Sequence, residues 1–139
     1  MNAMRKMQIP VRGELDVASV IAGTQHFCAS NGLPHLFGAH IATAASELAN
    51  NLWIHTRRGG LIGLVLLDAG PRVGVELVAV DDGPGIDDVG QAMTEGYSSS
   101  GGLGCGLPGV RRLMDEFELE TRLGHGTRVI ARKWLQARP

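Results

Sequence analysis

Three stretches of this chain combine residue types and spacings that could do chemistry. The first is Ser98-Ser-Ser-Gly-Gly-Leu-Gly-Cys-Gly-Leu-Pro-Gly-Val-Arg-Arg-Leu-Met-Asp115, with five glycines between Gly101 and Gly109. Each fixed glycine costs roughly 0.5–1 kcal/mol relative to alanine, in a domain whose net stability is about 5–15 kcal/mol. Such a concentration points to backbone torsions closed to other residues, or to backbone that must lie against a ligand. Both conditions describe a phosphate cradle. Pro108 suits the first turn of a following helix, whose open N–H groups would face the loop as an anion site. Taken alone, the loop could also be a glycine-rich turn without a ligand.

The second stretch carries Glu47 and Asn51, four residues apart and so on one face of a helix. At 100° per residue that face flanks the apolar stripe Ile41, Ala44, Ala45, Leu48 and Leu52, at the rim of a core. A lone Glu/Asn pair there is also what a solvated helix edge looks like. The third is Val80-Asp-Asp-Gly-Pro-Gly-Ile86, an acidic pair at the end of a strand pattern. Glycines follow it that let a ligand approach, so a recognition carboxylate and a plain Asp-Gly turn both fit.

Several familiar phosphate chemistries are excluded. The chain has two lysines, Lys6 and Lys133, and neither adjoins a glycine loop. A Walker loop and the strand lysine of a eukaryotic-type kinase are therefore both missing. Gly104-Cys-Gly-Leu-Pro-Gly109 matches the dinucleotide pattern G-x-G-x-x-G, but a Ser/Gly loop precedes it where a strand is required.

The elements that must position these residues follow from periodicity. A first strand is expected over Gln8–Arg12. A helix capped by Asp16 runs to about Ser30, carried by Val17, Val20, Ile21, Thr24, Phe27 and Cys28. His26 and Cys28 read as packing residues. Asn31-Gly32 stops this helix, and Pro34 opens a second over His35–His55. Leu61–Leu67 and Val73–Val80, separated by Asp68-Ala-Gly-Pro71, form a hairpin. Asp87–Tyr97 reads as a short helix or lid. Val110, Leu113, Met114 and Phe117 supply the apolar face of the helix after the glycine loop. Phe117–Arg122, Gly124-His-Gly126 and Thr127–Trp134 then close the chain as a hairpin.

The 139 residues suit one domain, residues 1–139, with a substantial core. The 20 glycines are about double the usual share of ~7%, which implies many turns and ligand loops. A net charge of −1 gives no general attraction to nucleic acid or a membrane surface. No signal peptide and no apolar run of spanning length are evident, so the expected location is cytoplasmic, with Cys28 and Cys105 reduced.

Glu47-Leu-Ala-Asn-Asn51, Asp81-Asp-Gly-Pro-Gly85, Gly102-Leu-Gly-Cys-Gly106 and Gly126-Thr127 stand in one order along the chain. In this order the sequence resembles, over nearly its whole length, the GHKL (Bergerat) ATP-binding fold of histidine kinases, gyrase-type ATPases and bacterial anti-sigma-factor kinases. Within that group, Glu95 to Phe117 together with Lys133-Trp-Leu135 is similar to the RsbT-type switch-protein serine/threonine kinases of stress-signalling complexes. The resemblance implies a two-layer α/β sandwich with a mixed, mostly antiparallel sheet and helices on one face, binding ATP and Mg²⁺. Asp81 resembles the carboxylate that accepts a hydrogen bond from the adenine amino group, beside Gly83 and Gly85 and with Thr127 helping through water. Asn51 resembles the Mg²⁺ ligand and Glu47 the general base, while Gly102, Gly104 and Gly106 would wrap the phosphates. His55 stands where an aromatic residue is expected, Cys105 puts a thiol in the lid, and Arg111 or Arg112 is a candidate for the γ-phosphate.

The activity so implied is ATP-dependent phosphorylation of a STAS-domain antagonist protein, RsbS- or RsbR-like, with partner switching as its output. Two alternatives share the motifs. One is an anti-sigma factor that binds a sigma factor and phosphorylates its own antagonist; the other is an activator of a PP2C-type phosphatase.

Overall fold

The computed structural model describes residues 5–56, 58–83 and 106–135. Gly85, Gly102, Gly104 and Cys105, the expected lid over Asp87–Tyr97, and the side chain of His55 lie outside the described residues. The elements are β1 (Lys6–Val11), α1 (Leu15–Ser30), α2 (His35–His55), β2 (Gly60–Ala69), β3 (Arg72–Asp81), α3 (Gly106–Leu113), β4 (Glu116–Arg122) and β5 (Gly126–Trp134). The strands form one sheet in the order β1-β2-β3-β5-β4. All four described pairings are antiparallel, where the expectation was a mixed, mostly antiparallel sheet.

Period-2 alternation sends one set of side chains to the helices. Ile62, Leu64, Val75, Leu77, Ala79, Val129 and Ala131 are buried on that face, and the three helices pack there as the second layer. The expected stripe of α2 is buried in full, at Ile41, Ala44, Ala45, Leu48 and Leu52. On α1, Val20, Thr24, Phe27 and Cys28 are buried as the helical spacing requires. Gly38 lets α1 and α2 approach closely, since a Cβ there would stand 3.0 Å from the Cβ of Cys28.

The first strand, expected over Gln8–Arg12, runs Lys6–Val11, and two further differences from the sequence reading have a cause in hydrogen bonds. Asp16 does not cap α1; the helix starts at Leu15, with Glu14 at the N-cap making no side-chain bond. Asp16 instead reaches back from the first turn, its Oδ2 accepting the N–H groups of Arg12 and Gly13 at 2.7 and 3.1 Å. The carboxylate still satisfies backbone donors at the helix entrance, from inside the helix. Phe117 lies in the strand, as expected for Phe117–Arg122, and not on the helix face also expected of it, because α3 ends at Leu113. The cause lies in β5: the Asp115 N–H donates to the Arg132 carbonyl at 2.8 Å, and Asp115 Oδ2 accepts the Trp134 N–H at 2.7 Å. Those bonds draw the chain into the ladder before another helical turn can form. Lys133 Nζ donates to the Leu113 carbonyl at 2.8 Å, which satisfies one of the open carbonyls at the end of α3 and complements its dipole.

The opposite sheet face is more polar. Arg132 bridges Glu76 at 2.8 Å and Glu116 at 3.3 Å, and Arg72 stacks over Trp134 at 4.5 Å.

Burial fixes two expected outcomes. Leu48 is 1% exposed, so Leu48→Ala should lower the urea midpoint with an unchanged slope, by about 2–5 kcal/mol in stability. A midpoint equal to that of the wild type would place Leu48 outside the core. Desolvation by burial raises the Cys28 thiol from its ordinary value to about 11, which leaves very little thiolate at neutral pH. Iodoacetamide should therefore leave the Cys28 peptide unlabelled in the native protein and label it in urea, as read by peptide mass mapping.

Candidate functional site

Asp81 is the last residue of β3, and Ala79, two residues earlier, is buried against the helices. Alternation therefore sends the Asp81 side chain to the helix side as well. Across the ladder Asp81 pairs with Thr127, and Thr127 pairs with Thr121. Residues directly opposite in an antiparallel pair share a face, so three polar side chains form a row at one end of the sheet.

The row is held from two sides. At the start of β5, Gly126 has φ 109°, and a Cβ there would lie 2.1 Å from the Asp81 carbonyl oxygen. Only glycine permits this approach, which brings Thr127 beside Asp81. From α2, Thr56 sits under Gly83, where a Cβ would lie 2.9 Å from the Thr56 methyl. The Thr56 hydroxyl lies 2.6 Å from the Leu52 carbonyl and 2.9 Å from that of Gly59, tying the end of α2 to the entry of β2.

The two aspartates separate clearly. Asp81 Oδ1 accepts the Gly83 N–H at 2.9 Å, which commits one carboxylate oxygen to the chain; the other has no partner among the described residues. Asp82 points to solvent and pairs with Arg58 at 3.5 Å, with side chains 65% and 84% exposed. A pair so exposed contributes little to stability.

Glu47 and Asn51 are half-buried on α2, on the flank of the buried stripe. The neighbouring Asn50 accepts a bond from Trp53 Nε1 at 3.0 Å, so its amide oxygen is already engaged. Asn51 carries no such bond among the described residues and has an amide oxygen to offer. At 1.5 Å rise per residue, Asn51 stands about 7.5 Å and Glu47 about 13.5 Å along the axis from Thr56. A base held at Asp81, phosphates near Asn51 and an acceptor hydroxyl near Glu47 would thus run in order along one helix. Gly106 opens α3 with φ 50°, a torsion that suits glycine at the exit of the loop. Arg111 and Arg112 are exposed in the last turn of α3, at the end away from the glycine loop.

These residues fit a nucleotide with its cation. A free carboxylate oxygen matches an amino donor. A single amide oxygen suits Mg²⁺, which keeps several waters and takes its other ligands from phosphates. Among the described residues, no three or more His, Cys, Asp or Glu stand together as a metal-binding group. Sequence reasoning missed Thr56 and Thr121. For Thr121 a signal existed: Phe117, Leu119 and Thr121 occupy the inward positions of β4, and the third is polar where the first two are apolar.

Residues 9–133 match the model of the histidine kinase-like ATPase domain. The chain is 48% identical over 98 residues to the serine/threonine-protein kinase RsbT of Bacillus subtilis, covering 70% of this chain and 73% of the relative. It is 35% identical over 101 residues to an anti-sigma F factor of Clostridium novyi, covering 70% and 71%. Among solved structures, the RsbU and RsbW domains of a Mycobacterium tuberculosis protein superpose with TM-score 0.65 at 18% identity. That match covers 97% of this chain but 34% of the other, so this chain spans about a third of its length. The catalytic domain of the histidine kinase ThkA superposes with TM-score 0.51 at 15% identity, covering 94% and 97%. The chain belongs to the family of histidine kinase-like ATPase domains, with a serine/threonine-protein kinase and anti-sigma factors among its relatives.

Proposed function

We propose that this ATP-dependent serine/threonine kinase phosphorylates a STAS-domain antagonist protein in a partner-switching pathway, in the cytoplasm. The observation that carries the proposal is the 48% identity to a serine/threonine-protein kinase over 98 residues. The geometry supports it: a row of polar side chains at the end of β3 can recognise a base, and α2 presents an amide and a carboxylate at increasing distance from that row. Asp81 accepts the adenine amino group through its free oxygen, beside Thr127. Gly83, together with Gly85, keeps side chains away from the base. Asn51 holds Mg²⁺, and Gly106 with Gly102 and Gly104 lines the phosphates. ATP supplies the phosphoryl group, and Mg²⁺ offsets its charge. Glu47 takes the proton of the attacking serine or threonine hydroxyl, and its place on the flank of α2 leaves one side open to that hydroxyl.

Transfer of label from γ-labelled ATP to a STAS protein tests the activity, and absence of transfer to any STAS partner would remove the proposed substrate class. Stable capture of a sigma factor in the presence of ATP would favour the anti-sigma reading, which the Clostridium novyi relative supports. ATP-dependent activation of a PP2C-type phosphatase would favour the third.

Two outcomes follow from the assigned roles. Asp81→Asn leaves the adenine amino group facing a weaker or misdirected acceptor, so ATP binding should weaken by roughly 1–3 kcal/mol in calorimetry; equal affinity would remove the base-recognition role. Asn51→Ala should lose Mg²⁺-dependent nucleotide binding, whereas Glu47→Gln should keep ATP and lose phosphoryl transfer by about 10²–10⁴-fold. Transfer at the wild-type rate by Glu47→Gln with normal ATP binding would show that the proton goes elsewhere.

A further inference from the structure

Beyond Asp81 and Thr127, the row at the end of the sheet contains a third polar residue to which no role has been given. Thr121 is 2.9 Å, oxygen to oxygen, from the Thr127 hydroxyl, and its own hydroxyl donates to the Gly126 carbonyl at 3.4 Å. We propose that Thr121 is a positioning residue for base selection: it accepts the Thr127 proton and so turns Thr127 into a hydrogen-bond acceptor toward the base, beside the free oxygen of Asp81. This rests on the reading of Asp81 and Thr127 as the adenine site.

Protons and lone pairs favour this polarity. A hydroxyl has one proton and two lone pairs, and a carbonyl only accepts. With its proton on the Gly126 carbonyl, Thr121 meets the second hydroxyl with a lone pair, and Thr127 takes the donor's place in that contact. What Thr127 has left is lone pairs. The row then offers two acceptors side by side, Asp81 and Thr127. A 6-aminopurine answers with an amino group that donates, whereas the 6-oxo group of guanine is an acceptor and meets like polarity. A water between Thr127 and the ring keeps the same preference. It donates one proton to Thr127 and has the other for N1 of adenine, which accepts; N1 of guanine carries a hydrogen and cannot.

The residue type at this place agrees. Phe117 and Leu119, the other inward residues of β4, pack against the core. A valine at 121 would serve the strand equally well in shape, so the hydroxyl is the part that shape does not require.

The test is titration of Mg·ATP and Mg·GTP into wild type, Thr121→Val, Thr121→Ala, Thr121→Ser and Asp81→Asn, with circular dichroism and melting curves to verify folding. Without the 121 hydroxyl, Thr127 is free to rotate and donate. Thr121→Val and Thr121→Ala should each narrow the preference for ATP over GTP by roughly three- to tenfold, the worth of one oriented hydrogen bond. Thr121→Ser should restore it. An unchanged ATP/GTP ratio in the folded Val and Ala variants, or an equal loss for both nucleotides, overturns the positioning role while leaving the adenine site intact. Wild-type ATP affinity in Asp81→Asn, or no ATP binding by the wild type, instead overturns the adenine site itself and this inference with it.

Discussion

The contact on which the site depends is the approach of Gly126 to the Asp81 carbonyl. With φ at 109° and no room for a Cβ, this residue lets β5 begin flush against the last residue of β3. The ladder then has a single register in which Thr127 stands opposite Asp81 and Thr121 opposite Thr127. A shift of β5 and β4 by one residue would send Thr127 and Thr121 to the other face, away from Asp81; that face carries Glu76, Arg132 and Trp134 and none of the described helices. The row proposed to recognise the base is thus a consequence of strand pairing, and the pairing is set where two backbones touch.

Helix α2 serves core and site at once by dividing its circumference. Its stripe from Ile41 to Leu52 is buried against the sheet, while Glu47 and Asn51 sit one turn apart on the flank. Full burial of a carboxylate without a partner is costly, and full exposure would place it away from a bound ligand. The flank avoids both extremes. Thr56, the C-cap of the same helix, touches Gly59 through its hydroxyl and Gly83 through its methyl, so the end of β3 that carries Asp81 is held against the helix that carries Asn51.

Much of this was legible in the residues. The bounds of α2, both hairpins and the buried stripe follow from periodicity, because burial on one face imposes a repeat that the chain must obey. The set Glu47, Asn51, Asp81 and Gly126-Thr127 was legible as an ordered group of motifs. The end of α3 was not, since Met114 and Phe117 continue a helical spacing, and what stops the helix is a bond from Asp115 to β5, which is distant in sequence. Asp16 misled for a related reason: an acidic residue near a helix start can serve backbone donors from either side of the boundary. Thr56 and Thr121 were missed because each makes its contacts with neighbours through a hydroxyl, and such contacts have no spacing rule.

The arrangement also explains why one aspartate of the pair at 81 and 82 is singled out. Successive strand residues point to opposite faces, so at most one can lie in the row with Thr127. Asp81 has that face, and its bond to the Gly83 N–H fixes the carboxylate without consuming both oxygens. Asp82 has solvent and Arg58 for neighbours. A carboxylate held by one oxygen keeps its orientation before any ligand arrives, so little ordering remains to be done on binding. The glycine at 83 thereby has two tasks, since it supplies the N–H that holds the carboxylate and lacks the Cβ that would collide with Thr56. Any side chain there would push the turn away from α2 and carry Asp81 with it, which makes this end of the candidate site as dependent on what is absent from the chain as on what is present.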